Sequence, residues 1–105
     1  MAFKVKYSEQ SVDDLADIIS YISDKLCNPR AAERFFIAVT EKTELIGENP
    51  YMYPFHHDKK LRVEGYRFAV VGNYLLLYVI DDGNSIVNII RIVYGKRNLS
   101  VIFEE

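Results

Sequence analysis

The chain has 105 residues, half of them hydrophobic and 27% charged, which suits one globular domain over 1–105 and excludes wholesale disorder. Cys27 is the single cysteine, so an internal disulfide and a cysteine-based metal knuckle are both excluded. The formal charge of −2 argues against a uniformly basic nucleic-acid binder, but residues 1–50 carry 6 basic and 9 acidic side chains while residues 59–97 carry 7 and 3.

The first residues, MAFKVKYSEQ, have no apolar signal core, and no apolar run approaches the length of a membrane span. A cytoplasmic location is therefore expected, with no membrane contact. Within 2–7, Phe3, Val5 and Tyr7 alternate with Lys4 and Lys6, the period of a half-buried strand. Ser11 then begins S-V-D-D, a start resembling a capping box. Asp13, Asp14 and Asp17 crowd the opening turns, where the helix dipole favours negative charge. Val12, Leu15, Ile19, Ile22 and Leu26 form one apolar helical stripe that stops at Asn28-Pro29.

The same dipeptide starts a second helix, with Asn28 as cap and Pro29 in the first helical position. Ala32, Phe35, Phe36, Val39 and Ile46 keep the helical period, and Gly47 is positioned to end it in a left-handed conformation. So short a turn makes the two helices an antiparallel hairpin. Residues 50–60 form an aromatic loop in which Tyr51, Tyr53 and Phe55 serve as a lid on the core or as anchors for a partner. Three strands follow. Leu61–Val71 has an irregularity at Glu64-Gly65, Tyr74–Ile80 comes after a Gly72-Asn73 hairpin turn, and Ile86–Tyr94 comes after the loop at 81–85. The last strand is apolar on both faces, which gives it a central or a covered position. The fold class is α+β in the order β-α-α-β-β-β, a curved antiparallel sheet with the helical hairpin packed on one face.

At this point the residues resemble a known family. L-A-D-I-I-S-Y-I (15–22), A-A-E-R-F (31–35) and L-I-G-E-N-P (45–50) look like the helical hairpin of ParE-type toxins. G-Y-R-F (65–68), N-Y-L-L-L-Y-V-I (73–80) and I-I-R-I-V-Y-G-K-R-N (89–98) resemble the sheet and C-terminal signature of the RelE/ParE superfamily. The resemblance implies the toxin of a type II toxin–antitoxin pair, held by a cognate antitoxin and forming a homodimer or a toxin–antitoxin hetero-oligomer. ParE-like members inhibit DNA gyrase; RelE-like members cut ribosome-bound mRNA. Gyrase inhibition is the expected activity, with RNA cleavage as the alternative and an inactive antitoxin-binding or dimerisation domain as a third reading.

RelE-like cleavage would be metal-independent and need no cofactor. The 2′-hydroxyl attacks the neighbouring phosphate, and the protein stabilises charge and moves protons. Arginines suit the first task because their planar fork matches phosphate oxygens. Arg97, in G-K-R, matches a RelE active-site arginine, and Arg67, in G-Y-R, matches a basic position on the sheet; these two are the catalytic candidates. The pattern departs from RelE where Phe103 stands in place of a tyrosine, and where Ala69 and Leu75 stand in place of further basic residues.

Arg62, Arg91, Lys96 and Tyr94 are the candidates for nucleic-acid or partner contact. Tyr94 is also a substitute for the missing phenol. Arg91 lies inside an apolar strand, so it needs a salt bridge to an acid such as Asp17 or Glu64, exposure on the open sheet face, or a partner anion. Strand register decides whether Arg91 and Arg67 share the face opposite the helices. His56 and His57 read as a solvated loop pair beside Asp58, with no fourth ligand that would make a metal site.

Overall fold

The computed structural model describes residues 2–95. Strand β1 (Lys4–Tyr7) leads into helix α1 (Glu9–Ser20), a π-helical turn at Tyr21–Lys25, and helix α2 (Pro29–Glu48). A short helix α3 (Lys59–Val63) precedes strands β2 (Arg67–Val71), β3 (Tyr74–Asp81) and β4 (Ile86–Tyr94). The four strands lie in the order β1-β4-β3-β2. β4 is an inner strand, the central one of the two positions that its two-sided apolar character allowed. β2, β3 and β4 are antiparallel, whereas β1 joins β4 in parallel, from Lys4 opposite Ile86 to Tyr7 opposite Ile89.

Helix α1 begins three residues earlier than its sequence suggests. Ser8, not Ser11, is the cap: its Oγ accepts the Ser11 amide at 3.0 Å and donates to the Ile90 carbonyl at 2.8 Å. Ser11 is fully buried instead, returning its hydroxyl to the Ser8 carbonyl. A serine tied to a strand is better fixed to cap a helix than one inside its first turn. The apolar stripe is also rotated. Leu15, Ile18 and Ile22 face the core, while Val12 and Leu26 are more than half exposed. The turn at Tyr21–Lys25 shifts the register by one residue, with the Leu26 amide bonding to the Tyr21 carbonyl. Cys27, at φ 52°, reverses the chain, and Asn28 caps α2 through the Ala31 amide.

Gly47 does not terminate α2; the helix continues to Glu48, capped by Asn49. A Cβ at position 47 would lie 3.0 Å from Val5 Cγ2 and 3.2 Å from the Phe3 carbonyl. The glycine is there for close approach, because the Phe3 amide donates to the Gly47 carbonyl at 2.7 Å.

The strand expected over Leu61–Val71 is half helix. Asp58 accepts the Leu61 amide and caps α3. Gly65, at φ 89°, ends α3 in a Schellman arrangement, with Tyr66 N–H to Leu61 C=O and Gly65 N–H to Arg62 C=O. The irregularity read as a bulge is thus a helix stop. Leu61 is fully buried on the sheet face away from the hairpin, with Leu77 and Val93. The main core lies on the other face, where Ile18, Val39 and Ile46 meet Ala69, Leu76, Tyr78, Val87, Ile89 and Ile92. The β2–β3 turn at Gly72-Asn73 forms as its sequence indicates, with Gly72 at φ 58°.

Candidate partner-binding surface

Sheet register separates the candidate cations. Arg67 stands opposite Tyr78, in the row of β2 that continues through the core residues Ala69 and Val71. Arg91 stands opposite Leu77, in the row of the other face. The two arginines therefore do not share the face opposite the helices. A bulge in β4 between the Leu77 and Tyr78 partners lies directly before Arg91.

The Arg91 guanidinium reaches Asp14 of α1, donating to its carboxylate through Nε at 2.8 Å and Nη2 at 3.1 Å. The same carboxylate accepts the Ile92 amide at 2.9 Å. The partner is thus Asp14 rather than Asp17 or Glu64. β1 stops pairing at Ile89, so α1 supplies side-chain partners along the next stretch of the β4 edge, Ser8 at Ile90 and Asp14 at Ile92.

Arg67 closes the aromatic loop. Its Nη1 donates to the Tyr53 carbonyl at 2.6 Å, and its guanidinium lies 4.0 Å from the Phe55 ring centre and 5.5 Å from that of Tyr51. Phe55 and Arg67 also form a β-bridge, and the Phe68 amide donates to the Pro54 carbonyl, so the loop covers the start of the β2 edge. Below it, the buried Tyr78 hydroxyl donates to the Pro50 carbonyl at 2.6 Å. Burial pushes that phenol up to about 12, with the Arg67 charge pulling the other way and Tyr53 adding to the rise.

His56 is not solvated: it is 4% exposed, stacks on His57 and meets Phe68 edge-on. Its Nδ1 accepts the Asp58 amide at 3.0 Å. Burial, then the neighbouring His57, holds its pKa below 6.5, with Asp58 opposing. Among the described residues no group of His, Cys, Asp or Glu is arranged to hold a metal, and no helix is long and apolar enough to cross a membrane.

Arg62 is exposed on α3, on the sheet face away from the hairpin. Tyr94 stands opposite Tyr74, at the far end of β3 from the Tyr78–Arg67 pair. Four residues of strand separate those ends by roughly 13 Å. Lys96 and Arg97, with Phe103, lie outside the described residues. Arg67, Arg91, Arg62 and Tyr94 thus occupy separate places rather than one cluster.

Sequence reading missed a cavity of about 430 Å³ around Tyr94, lined by Asp17, Ile18, Tyr21, Tyr74 and Tyr94. Tyr74 and Tyr94 meet edge-to-face at 5.8 Å, and Tyr74 rests on Phe35 at 5.2 Å. Burial, then the phenols of Tyr21 and Tyr94, raises the Tyr74 pKa. The one available sequence signal was the spacing of Asp17 and Tyr21, neighbours on one helix face. A second groove of about 530 Å³, apolar in character, runs along the hairpin between Val12, Ile19, Ala32 and Phe36.

Comparison with known proteins agrees with this architecture. No curated protein sequence matches the chain significantly. Among solved structures, the chromosomal ParDE TA system from P. aeruginosa is similar, with a TM-score of 0.73 at 14% identity over 90% of this chain and 98% of that one. The toxin–antitoxin complex RelBE2 from Mycobacterium tuberculosis gives 0.64 at 23% identity, covering 90% and 92%. The archaeal RelE–RelB complex from Pyrococcus horikoshii OT3 gives 0.56 at 17% identity, covering 93% and 100%. The family model for the ParE toxin of the type II toxin–antitoxin system parDE matches residues 5–99. The chain therefore belongs to the ParE toxin family of type II toxin–antitoxin systems, within the RelE/ParE superfamily.

Proposed function

We propose that this toxin arrests growth by binding and inhibiting DNA gyrase, as ParE-like members do, rather than by cutting mRNA on the ribosome. The observation that carries the reading is the engagement of two arginines among the described residues, Arg67 and Arg91. Arg67 is committed to the Tyr53 carbonyl and the Phe55 ring, and Arg91 to Asp14. Phosphate-transfer chemistry would require such groups to converge on one phosphate with a proton donor beside them. Here they hold a loop and a strand edge. Protein–protein contact requires no such convergence. It needs exposed aromatic and apolar anchors, which the molecule has in Tyr21, Phe36, Tyr51 and Tyr94.

A cognate antitoxin is the expected cytoplasmic partner, because the family is defined by such pairs and the similar solved structures are toxin–antitoxin assemblies. An antitoxin segment that folds on the toxin raises the melting temperature of the chain, logarithmically with the free antitoxin concentration above its Kd.

Tightly controlled induction in a bacterium, with separate pulse-labelling of DNA and protein synthesis, tests the activity. DNA synthesis is expected to fall first, and the purified chain to inhibit supercoiling by purified gyrase. Early loss of translation with cleavage of ribosome-bound mRNA would replace this reading with the RelE-like one. Normal growth would leave an inactive antitoxin-binding domain.

A further inference from the structure

The geometry points to the Tyr21–Tyr74–Tyr94 cavity as a receptor for a basic side chain, arginine or lysine, presented by a partner polypeptide. Three phenol rings and one carboxylate line it over the apolar floor of Ile18. Among the described lining residues Asp17 supplies the only formal charge, and it forms no ion pair among the described residues. Aromatic faces carry negative potential, so rings and carboxylate attract the same kind of ligand. An apolar side chain would gain nothing from Asp17, and an anion would be repelled by it.

Two features hold the cavity in shape before any ligand arrives. Tyr74 is fixed between Phe35 and Tyr94 by edge contacts and is only partly exposed. Tyr21 opens the π-helical turn, which places its ring beside Tyr74 while the turn of α1 before it sets Asp17 alongside. Tyr21 and Tyr94 remain 50% and 42% exposed, so a ligand can reach both residues from solvent. Single-turn π-helices are rare and are frequently located at functional sites.

That occupant belongs to the macromolecular-contact reading given above, but its test needs neither gyrase nor a cell, so the two can fail separately. The full-length protein is titrated with N-acetyl-arginine methylamide while the ring resonances of Tyr21, Tyr74 and Tyr94 are followed by NMR. N-acetyl-citrulline methylamide provides the uncharged isostere, and N-acetyl-leucine methylamide the apolar occupant. Saturable shifts of all three rings by the arginine probe are expected, with citrulline and leucine binding about three- to tenfold more weakly. Asp17→Asn, an exposed substitution harmless to folding, should weaken the arginine probe severalfold, and Tyr21→Leu should do so where Tyr21→Phe does not. Equal binding of arginine and citrulline, tighter binding of leucine, or shifts elsewhere in the molecule would each overturn the assignment. So would an Asp17→Asn protein that binds the arginine probe unchanged.

Discussion

Replacing Asp14 with alanine should be among the most damaging single changes on α1, although the residue belongs to no proposed binding site. The carboxylate serves two elements: it receives Nε and Nη2 of Arg91 and the backbone amide of Ile92. Both partners are well inside the surface, the side chains of Arg91 and Asp14 being 13% and 15% exposed. Removing one member of a fully buried pair costs about 3–5 kcal/mol, and residual solvation at this site reduces that. An orphaned strand amide adds about 1–3 kcal/mol unless water reaches it. A total of roughly 2–4 kcal/mol is expected, since the two losses share one side chain. Unfolding entropy scales with length, so for 105 residues this corresponds to a melting temperature lower by roughly 10–20 °C. Thermal denaturation followed by far-ultraviolet circular dichroism measures it. Asp14→Asn, which keeps one acceptor, should fall between, and Asp14→Ala with Arg91→Met should lose less than the sum of the single changes. A loss under about 0.5 kcal/mol for Asp14→Ala would show that the edge of β4 does not depend on α1.

Tyr78→Phe leaves the Pro50 carbonyl without its buried donor and should cost about 1–2 kcal/mol in urea unfolding; an unchanged midpoint would mean that the loop does not rely on this bond. His56 introduces a pH dependence: its pKa is depressed in the folded state, so below 6.5 the unfolded chain binds more protons than the folded one. Its stabilising contribution is thus complete above 6.5 and declines as pH falls through 6.5 towards the folded pKa. Urea midpoints from pH 7.5 to 5 should slope accordingly, and the slope should shrink in His56→Gln. For Arg67, the gyrase reading predicts that Arg67→Met, which retains packing on Phe55, preserves growth arrest on induction. Abolished arrest in an Arg67→Met protein of unchanged melting temperature would instead make the guanidinium itself functional.

Much of the architecture was legible from local physics. The helical hairpin followed from a 3.6-residue period and from Asn28-Pro29, which stops one helix and starts the next. The Gly72-Asn73 turn followed from turn chemistry, and a strand apolar on both faces limited β4 to a central or covered place, of which the sheet order took the first. The family resemblance rested on this ordered set and on the G-K-R neighbourhood, which the sequence alone carried.

What escaped depends on residues distant in sequence. Ser8 caps α1 because β4 holds its hydroxyl, and Gly47 is required by Phe3 and Val5, more than forty residues away. Helix α3 was hidden because Asp58 and Gly65 bracket a run whose apolar residues fit a strand equally well; burial of Leu61 under the sheet decides the helix. The roles of the arginines were the least legible. A guanidinium in a strand carries the same local signal whether it meets a phosphate or a carboxylate. Only packing α1 against β4 brought Asp14 to Arg91, and only register put Arg67 and Arg91 on different faces. Sequence by itself determined the helical hairpin, the Gly72-Asn73 turn and the family resemblance, because periodicity, caps and turns act over a few residues. Tertiary structure decided which charges are satisfied and which rings share a cavity, because those energies depend on contacts between residues far apart in the chain.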